Sequence, residues 1–476
     1  MKEIVITKID EVFVSVSAET SILKEIDNEF RYRPPNYRFN PRFGYGWNGY
    51  INLFNPETKL FYIGLLDELI EFIKNNNYNF KITGDFGAQN FSEHEARIFV
   101  KTLSLPDYLE LRDYQLKYFI TSVRNRRAIC ISPTNSGKSL IQYLLFRYFN
   151  KKTLLIVPSI QLVTQMHDDF RSYGYEGDIH LIKEGSEKNS DCQLTISTYQ
   201  SIYNLKSSWF HDKEVILGDE VHTFQAKSLK RMMEKTNNSP IRIGVTGTIP
   251  EDTLSKKTIK GLFGPFHTYI SSTELIERGY SSPINIKILT LNHLDSPYWN
   301  NSKKIDYEDE IPEILSSEKR IEFIKNLAIS LKGNTFIMFR EIEYGKKLYE
   351  CIKKYSGVPL YYVDGKDKAD ARKKLVNIIE NEKDSITICS TVFSTGINIK
   401  KINNLIFTRP SKSRVQIMQS IGRGLRVSPE KTHITLFDIS DRIISDINNH
   451  TIEHRILREK MYNNEKFSFR SYSINL

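Results

Sequence analysis

Cysteine is scarce in this 476-residue chain: Cys130, Cys192, Cys351 and Cys389 lie far apart, with no Cys-x-x-Cys pair. That spacing argues against a disulfide framework or a cysteine-based metal site and fits small core residues in a reducing compartment. No apolar run approaches the roughly 18 to 20 residues of a membrane span, so no membrane partner is expected. The start, Met1-Lys2-Glu3-Ile4-Val5, lacks the uninterrupted apolar region of a signal peptide. No short-period repeat is evident, which argues against a solenoid. Acidic residues are outnumbered, 57 Asp and Glu against 67 Lys and Arg, and the net charge of +10 suggests a polyanionic partner. A hydrophobic fraction of 40% describes a soluble globular protein, too long for one ordinary core. Two to four domains are expected.

The most informative stretch is Pro133-Thr134-Asn135-Ser136-Gly137-Lys138-Ser139, preceded by Ser132. It follows the apolar run Ala128-Ile129-Cys130-Ile131 and precedes Leu140 to Leu145, so strand, tight loop and helix are expected in that order. This is the context of a phosphate-binding loop. Backbone N–H groups line such a loop, and the helix N-terminus adds partial positive charge. Gly137 lets the backbone approach the phosphates, Lys138 reaches the β- and γ-phosphates, and the Ser139 hydroxyl holds Mg²⁺. The regular pattern has glycine where this chain has Ser132, but the Gly-Lys-Ser core is intact.

Around this loop the sequence alternates short apolar strands with helices. Strands are expected at Leu154-Leu155-Ile156-Val157, Leu194-Thr195-Ile196-Ser197, Val215-Ile216-Leu217-Gly218 and Ile241-Arg242-Ile243-Gly244-Val245. That pattern implies a parallel sheet with ligands at the strands' carboxyl ends. Asp219-Glu220-Val221-His222 and Thr246-Gly247-Thr248 fall at such ends. Hydrolysis of a γ-phosphate needs one carboxylate to hold Mg²⁺ and another to orient the attacking water. Asp219 fits the first role and Glu220 the second.

A second βα-alternating region has strands expected at Thr335 to Phe339, Leu360 to Val363, Ser385 to Cys389 and Asn404 to Phe407. It has no phosphate loop of its own. It carries Arg423 and Arg426 near one helix end, and arginine stabilises charge building on a transferring phosphoryl group. The expected domains are 1–95, an N-terminal domain; 96–272, the lobe that carries the phosphate loop; 273–320, an inter-lobe connection; 321–440, a second lobe; and 441–476, a C-terminal tail.

The N-terminal segment holds an unusual run from Arg31 to Tyr50. Arg31, Arg33, Arg38 and Arg42 are interleaved with seven aromatic residues, Trp47 among them, and with three prolines and three glycines that exclude a regular helix. Arginine beside aromatics suits phosphate pairing with base or sugar stacking. A hairpin with a small aromatic core and solvated arginines fits the composition equally well.

The ordered set of Gln115, Pro133 to Ser139, Ile156-Val157-Pro158, Asp219 to His222, Thr246 to Thr248, Ser394-Thr395-Gly396 and Gln419 to Arg426 resembles a superfamily 2 helicase of the DExH type. The resemblance spans residues 105 to 440. It implies an α/β fold of two RecA-like parallel-sheet lobes plus a small N-terminal α/β (α+β) domain that binds DNA. It further implies that Arg112, Tyr114 and Gln115 contact adenine, and that His222, Thr246 and Thr248 couple the nucleotide to DNA. Gln419, Arg423 and Arg426 complete the site, and Thr198, Gln200 and Thr395 touch the nucleic-acid backbone. Asn135 and Asn398 depart from the glycine and aspartate of many relatives. The implied protein is an ATP- and Mg²⁺-dependent DNA helicase on branched DNA, serving fork regression, Holliday-junction migration and displacement of D-loops or RNA–DNA hybrids in recombination and repair. It is expected to be a monomer, with recombination proteins as partners, in the cytoplasm (a bacterial host's, if phage-encoded). The alternatives are an RNA helicase and a strand-annealing clamp regulated by ATP.

Overall fold

The alternating residues of the first segment build a mixed sheet, seen in a computed structural model of the chain. The structure describes residues 3–476 except 88, 184, 365–368, 391–400, 409–416, 419, 423–424 and 426–432. The first strands are β1 (Ile4–Lys8), β2 (Phe13–Ser17), β3 (Arg31–Tyr32), β4 (Ile51–Asn52), β5 (Phe54–Asn55), β6 (Leu60–Tyr62) and β7 (Phe80–Thr83). Five of them form a sheet in the order β5-β6-β2-β1-β7, while β3 and β4 pair separately as an antiparallel ribbon. Period-two burial in β1 and β2 places Ile4, Ile6, Val14 and Val16 inward. The helices Thr20–Glu29 and Leu66–Asn75 each bury an apolar stripe that includes Ile22, Leu23 and Ile26, and Leu69 and Ile73.

The next seven strands are β8 (Arg127–Ile131), β9 (Thr153–Val157), β10 (Ile179–Ile182), β11 (Leu194–Thr198), β12 (Val215–Asp219), β13 (Ile241–Thr246) and β14 (Phe266–Thr268). They form one parallel sheet in the order β10-β11-β9-β12-β13-β8-β14. β8, β9, β11, β12 and β13 are buried along their whole length, as expected of parallel strands covered on both faces.

The N-terminal sheet and this parallel sheet do not have separate cores. A single apolar cluster runs from Ile4 and Val14 through Leu65 to Ile129, Val221 and Phe263. Gly64 packs directly on the carbonyls of Lys260 and Gly261, so close that a Cβ would collide with both. Glu68 takes charge-assisted hydrogen bonds from Lys257 and Lys260, and the Tyr62 hydroxyl donates to Glu234. Arg127, at the start of β8, donates to the Glu11 carbonyl at 2.6 Å and its carboxylate at 2.8 Å. Residues 1–132 and 137–270 accordingly make one compact unit, and 271–476 with 133–136 make another.

The second unit repeats the architecture with β15 (Ile284–Asn292), β16 (Asn334–Phe339), β17 (Leu360–Val363), β18 (Ser385–Ser390), β19 (Asn404–Phe407), β20 (Ile434–Arg442) and β21 (Phe469–Asn475). Their order is β17-β18-β16-β19-β20-β15-β21, all parallel. Two stretches that the linear reading set apart, as connection and tail, supply strands to this sheet. The stretch 273–320, expected as a connection, supplies β15, which lies between β20 and β21. The stretch expected as a tail supplies the helix His450–Asn464 and the edge strand β21. The reason is burial of charge as well as of apolar surface. Asp441 accepts from Arg320 at 2.7 Å and pairs with His293 at 2.9 Å, and Arg320 also reaches Tyr344 and the Thr408 carbonyl. Arg458 forks onto Asp438 at 2.7 and 2.8 Å. Buried pairs of this kind cost about 3–5 kcal/mol when one partner is removed. The segment after 440 is thus tied into the core of its unit.

Candidate active site

In the first unit β12, β13 and β8 are adjacent, and their register sets Asp219 opposite Val245 and Thr246 opposite Ile131. The acidic motif, the Thr-Gly-Thr motif and the start of the phosphate loop therefore emerge side by side at the carboxyl ends of adjacent strands. The helix Lys138–Phe149 starts at the lysine itself, with Gly137 as its N-cap in left-handed conformation, φ 76°. The left-handed φ is what favours glycine at position 137, and a side chain there would also displace the Gln115 amide. Asn135 is also left-handed, φ 69°. Among residues other than glycine, asparagine tolerates that region well.

Lys138 Nζ lies 3.2 Å from the Ser132 carbonyl and 4.0 Å from Glu220 Oε1. Glu220 adopts φ 47°, an uncommon conformation outside glycine, directly after β12. Strained backbone of that kind persists where surrounding contacts over-determine it. Here Glu220 Oε2 accepts from the Thr246 hydroxyl at 3.2 Å and from the Gly247 N–H at 3.5 Å, and His222 Nδ1 lies 3.2 Å away. His222 Nδ1 is also 2.9 Å from Thr246 Oγ1, which in turn contacts the Thr248 carbonyl at 3.1 Å. The expected coupling residues His222, Thr246 and Thr248 thus form one hydrogen-bonded group around the expected water-orienting carboxylate.

The pKa values of the two carboxylates are pushed in opposite directions. Burial and the neighbouring Glu220 charge push the Asp219 pKa up. Burial opposes ionisation of Glu220 as well, but the Lys138 cation, His222 and the Gly247 N–H outweigh it and hold its pKa below the ordinary carboxylate value. Asp219 Oδ1 is buried with no hydrogen-bond partner among the described residues. A buried carboxylate oxygen left without a protein partner is what a site suited to a cation shows. The residues fit Mg²⁺ on that ground. Among the described residues no cluster of three or more His, Cys, Asp or Glu side chains forms a protein-only metal cage. Phosphate oxygens, water and the Ser139 hydroxyl would have to complete the shell, as Mg²⁺ commonly requires.

The residues expected near adenine behave as a linked set. Gln115 Oε1 accepts from the Arg112 N–H at 2.9 Å, and the Arg112 guanidinium donates to the Tyr114 hydroxyl at 2.8 Å. Tyr114 and Gln115 are buried, so their first effect is to fix Arg112 and the Gly137 turn. Thr198 is buried at the end of β11, its hydroxyl 3.0 Å from that of Ser201, while Gln200 is exposed. One site residue escaped the sequence reading. The Ser139 hydroxyl sits 2.7 Å from the Tyr173 hydroxyl, 34 positions away. Nothing in the local pattern around Tyr173 marks it. Thr395, Gln419, Arg423 and Arg426 lie outside the described residues.

The Arg31–Tyr50 run is a ribbon closed by an ordered loop. The guanidinium of Arg33 lies 4.8 Å from the Tyr37 ring centre and 4.5 Å from that of Tyr50, with Arg31 4.6 Å from Tyr50. Trp47, expected among the DNA-binding residues, donates its indole N–H to the Tyr50 carbonyl at 2.7 Å and is partly buried within the loop. Its ring braces the loop because the sharp Gly44–Gly49 turns fold it back. Arg31, Arg33, Arg38 and Arg42 face aromatic rings or solvent, and none is paired with a carboxylate among the described residues. The loop therefore has a small aromatic core, and its arginines keep their charge at the surface.

Comparison with known proteins covers nearly the whole chain. Residues 3–83 match the family described as DNA helicase UvsW, N-terminal. Residues 108–251 match Type III restriction enzyme, res subunit, and residues 318–428 match Helicase conserved C-terminal domain. The DNA 3'-5' translocase XPB2 of Sulfurisphaera tokodaii is 22% identical, over 68% of this chain and 80% of its own. The crystal structure of T4 UvsW is similar over 99% of both chains, at 28% identity and a TM-score of 0.53. The ATP-dependent DNA helicase uvsW of Enterobacteria phage T4 is 31% identical across 97% of this chain and 98% of its own length. Likeness of that extent, over an N-terminal segment and two parallel-sheet regions in the same order, places the chain in the UvsW family of superfamily 2 ATP-dependent DNA helicases.

Proposed function

We propose that this helicase acts on branched DNA, regressing forks, migrating Holliday junctions and displacing D-loops and RNA–DNA hybrids. The observation that carries the reading is the arginine ribbon. Four guanidiniums without carboxylate partners among the described residues stand on a module that shares its core with the nucleotide-binding sheet. Phosphate is the partner such a surface suits.

In this reading residues 133–139 wrap the ATP phosphates and Lys138 meets the β- and γ-phosphates. Ser139 and Asp219 hold Mg²⁺, which supplies charge neutralisation on the phosphates when bound. Glu220, kept ionised by Lys138 and held by Thr246 and Gly247, orients the attacking water. His222, Thr246 and Thr248 pass the change at Glu220 to the nucleic acid. Arg112, Tyr114 and Gln115 frame the base. On the family pattern, Gln419, Arg423 and Arg426 stabilise charge on the transferring phosphoryl group, and Thr198, Gln200 and Thr395 grip the nucleic-acid backbone. We place the protein in the cytoplasm, that of a bacterial host if phage-encoded, as a monomer working with recombination proteins.

The test is ATPase activity of the full chain stimulated in turn by forked DNA, linear duplex, single-stranded DNA and RNA. Forked DNA should stimulate most, per mole of nucleotide added. Equal or greater stimulation by RNA would favour an RNA helicase. Tight DNA binding with no stimulation would favour a clamp.

A further inference from the structure

Seven aromatic rings lie between Arg31 and Tyr50, and five have structural work. Tyr32 packs on the core of the first unit. Tyr37 and Phe43 meet edge to face, ring centres 5.0 Å apart. Tyr50 takes Arg31 and Arg33 on its ring, and Trp47 ties itself to the Tyr50 carbonyl. The remaining two, Phe39 and Tyr45, are 86% and 88% exposed, the most exposed large hydrophobic side chains among the described residues. Each shares a tight turn with an arginine. Phe39 follows Arg38 in the 3₁₀ turn Tyr37–Phe39, and the Tyr45 N–H bonds the Arg42 carbonyl at 3.1 Å.

The loop that carries them is set in advance. Asn36, Gly44, Gly46 and Gly49 are all left-handed, and a side chain at Gly49 would collide with the Tyr37 ring. Two hydrophobic rings held in water on a braced loop are costly to leave uncovered, and the arginines beside them select a polyanion as the cover. A fully paired duplex offers phosphates but hides the faces of its bases. A DNA branch point offers both. We infer that Phe39 and Tyr45 are base-stacking platforms for unpaired bases at a DNA branch, with Arg38 and Arg42 on the flanking phosphates. This rests on the reading of the ribbon as a DNA-binding surface. It moves the stacking role from Trp47 to rings that are free to take it.

The experiment titrates the full chain and its Phe39→Ala/Tyr45→Ala variant with two fluorescent DNAs of equal length, a fork with unpaired arms and a fully paired duplex. Both side chains are exposed, so the variant should melt with the wild type, and a melting curve checks this. Affinity for the fork should fall by about 5-fold or more per ring, the lower end of one base–aromatic stack. Affinity for the duplex should hold within about 2-fold, and the slope of log K against log salt should not change. The Phe39→Tyr/Tyr45→Phe variant, which keeps both rings, should bind the fork like wild type. Unchanged fork affinity, or equal losses on fork and duplex, would overturn the stacking role. A variant at the four arginines separates the two claims. If it loses DNA binding while the ring variant does not, the ribbon binds DNA and the rings serve something else. If neither loses binding, the ribbon reading fails as well.

Discussion

Glu220→Gln is expected to bind ATP about as well as the wild type and to hydrolyse it roughly 10²- to 10⁴-fold more slowly. The amide keeps the shape of the carboxylate and can still accept from Thr246 and Gly247, so the local fold should hold. What it loses is the negative charge that Lys138 and the surrounding donors stabilise. Lys138→Ala is the informative contrast. It removes a group that would touch the phosphates in both ground and transition states, so ATP affinity and turnover should fall together. DNA affinity should stay within a few-fold for both variants, since neither side chain lies on the ribbon. Nucleotide binding by a fluorescent analogue, beside steady-state ATPase, separates the two. A Glu220→Gln protein that still hydrolyses ATP within 10-fold of wild type would move the water-orienting role elsewhere.

Replacing Arg31, Arg33, Arg38 and Arg42 together by Ala should weaken duplex and fork binding alike. The slope of log K against log salt should flatten by roughly three to four units, about 0.9 for each duplex phosphate no longer neutralised. Arg33 also packs between Tyr37 and Tyr50, so circular dichroism and melting must accompany the titration. Arg38 and Arg42 are the safer pair, being exposed, and replacing them alone should flatten the slope by about half as much. A folded variant with an unchanged slope would reduce the ribbon to a solvated surface.

The expected phosphate-loop, Asp-Glu and Thr-Gly-Thr motifs were legible because each sits where a buried strand ends, and a buried parallel strand announces itself by composition. Asp219, Glu220 and Thr246 emerge on neighbouring strands, as the α/β pattern implies. The pairing of Tyr173 with Ser139 was not legible, since two hydroxyls meeting across 34 residues leave no periodic trace. Nor was the shared core of the N-terminal module. Gly64 reads as an ordinary turn glycine until the carbonyls of Lys260 and Gly261 are seen against it. The place of β15 in the sheet was not legible either, because its neighbours, β20 and β21, lie far downstream in the chain. In the ribbon, composition marked arginines and aromatics together but could not say which rings the loop would consume. Trp47, the most conspicuous by type, is consumed, and Phe39 and Tyr45 are left outside.

The central claim is that ATP hydrolysis at Lys138 and Glu220 drives strand displacement at a DNA branch. Its most direct measurement is the rate of strand release by the full chain from a forked DNA and from a blunt duplex carrying the same displaced strand, with ATP and Mg²⁺. Release from the fork should run well above that from the blunt duplex, and neither substrate should release its strand without ATP. Equal rates on the two substrates, or release that does not need ATP, would contradict the claim.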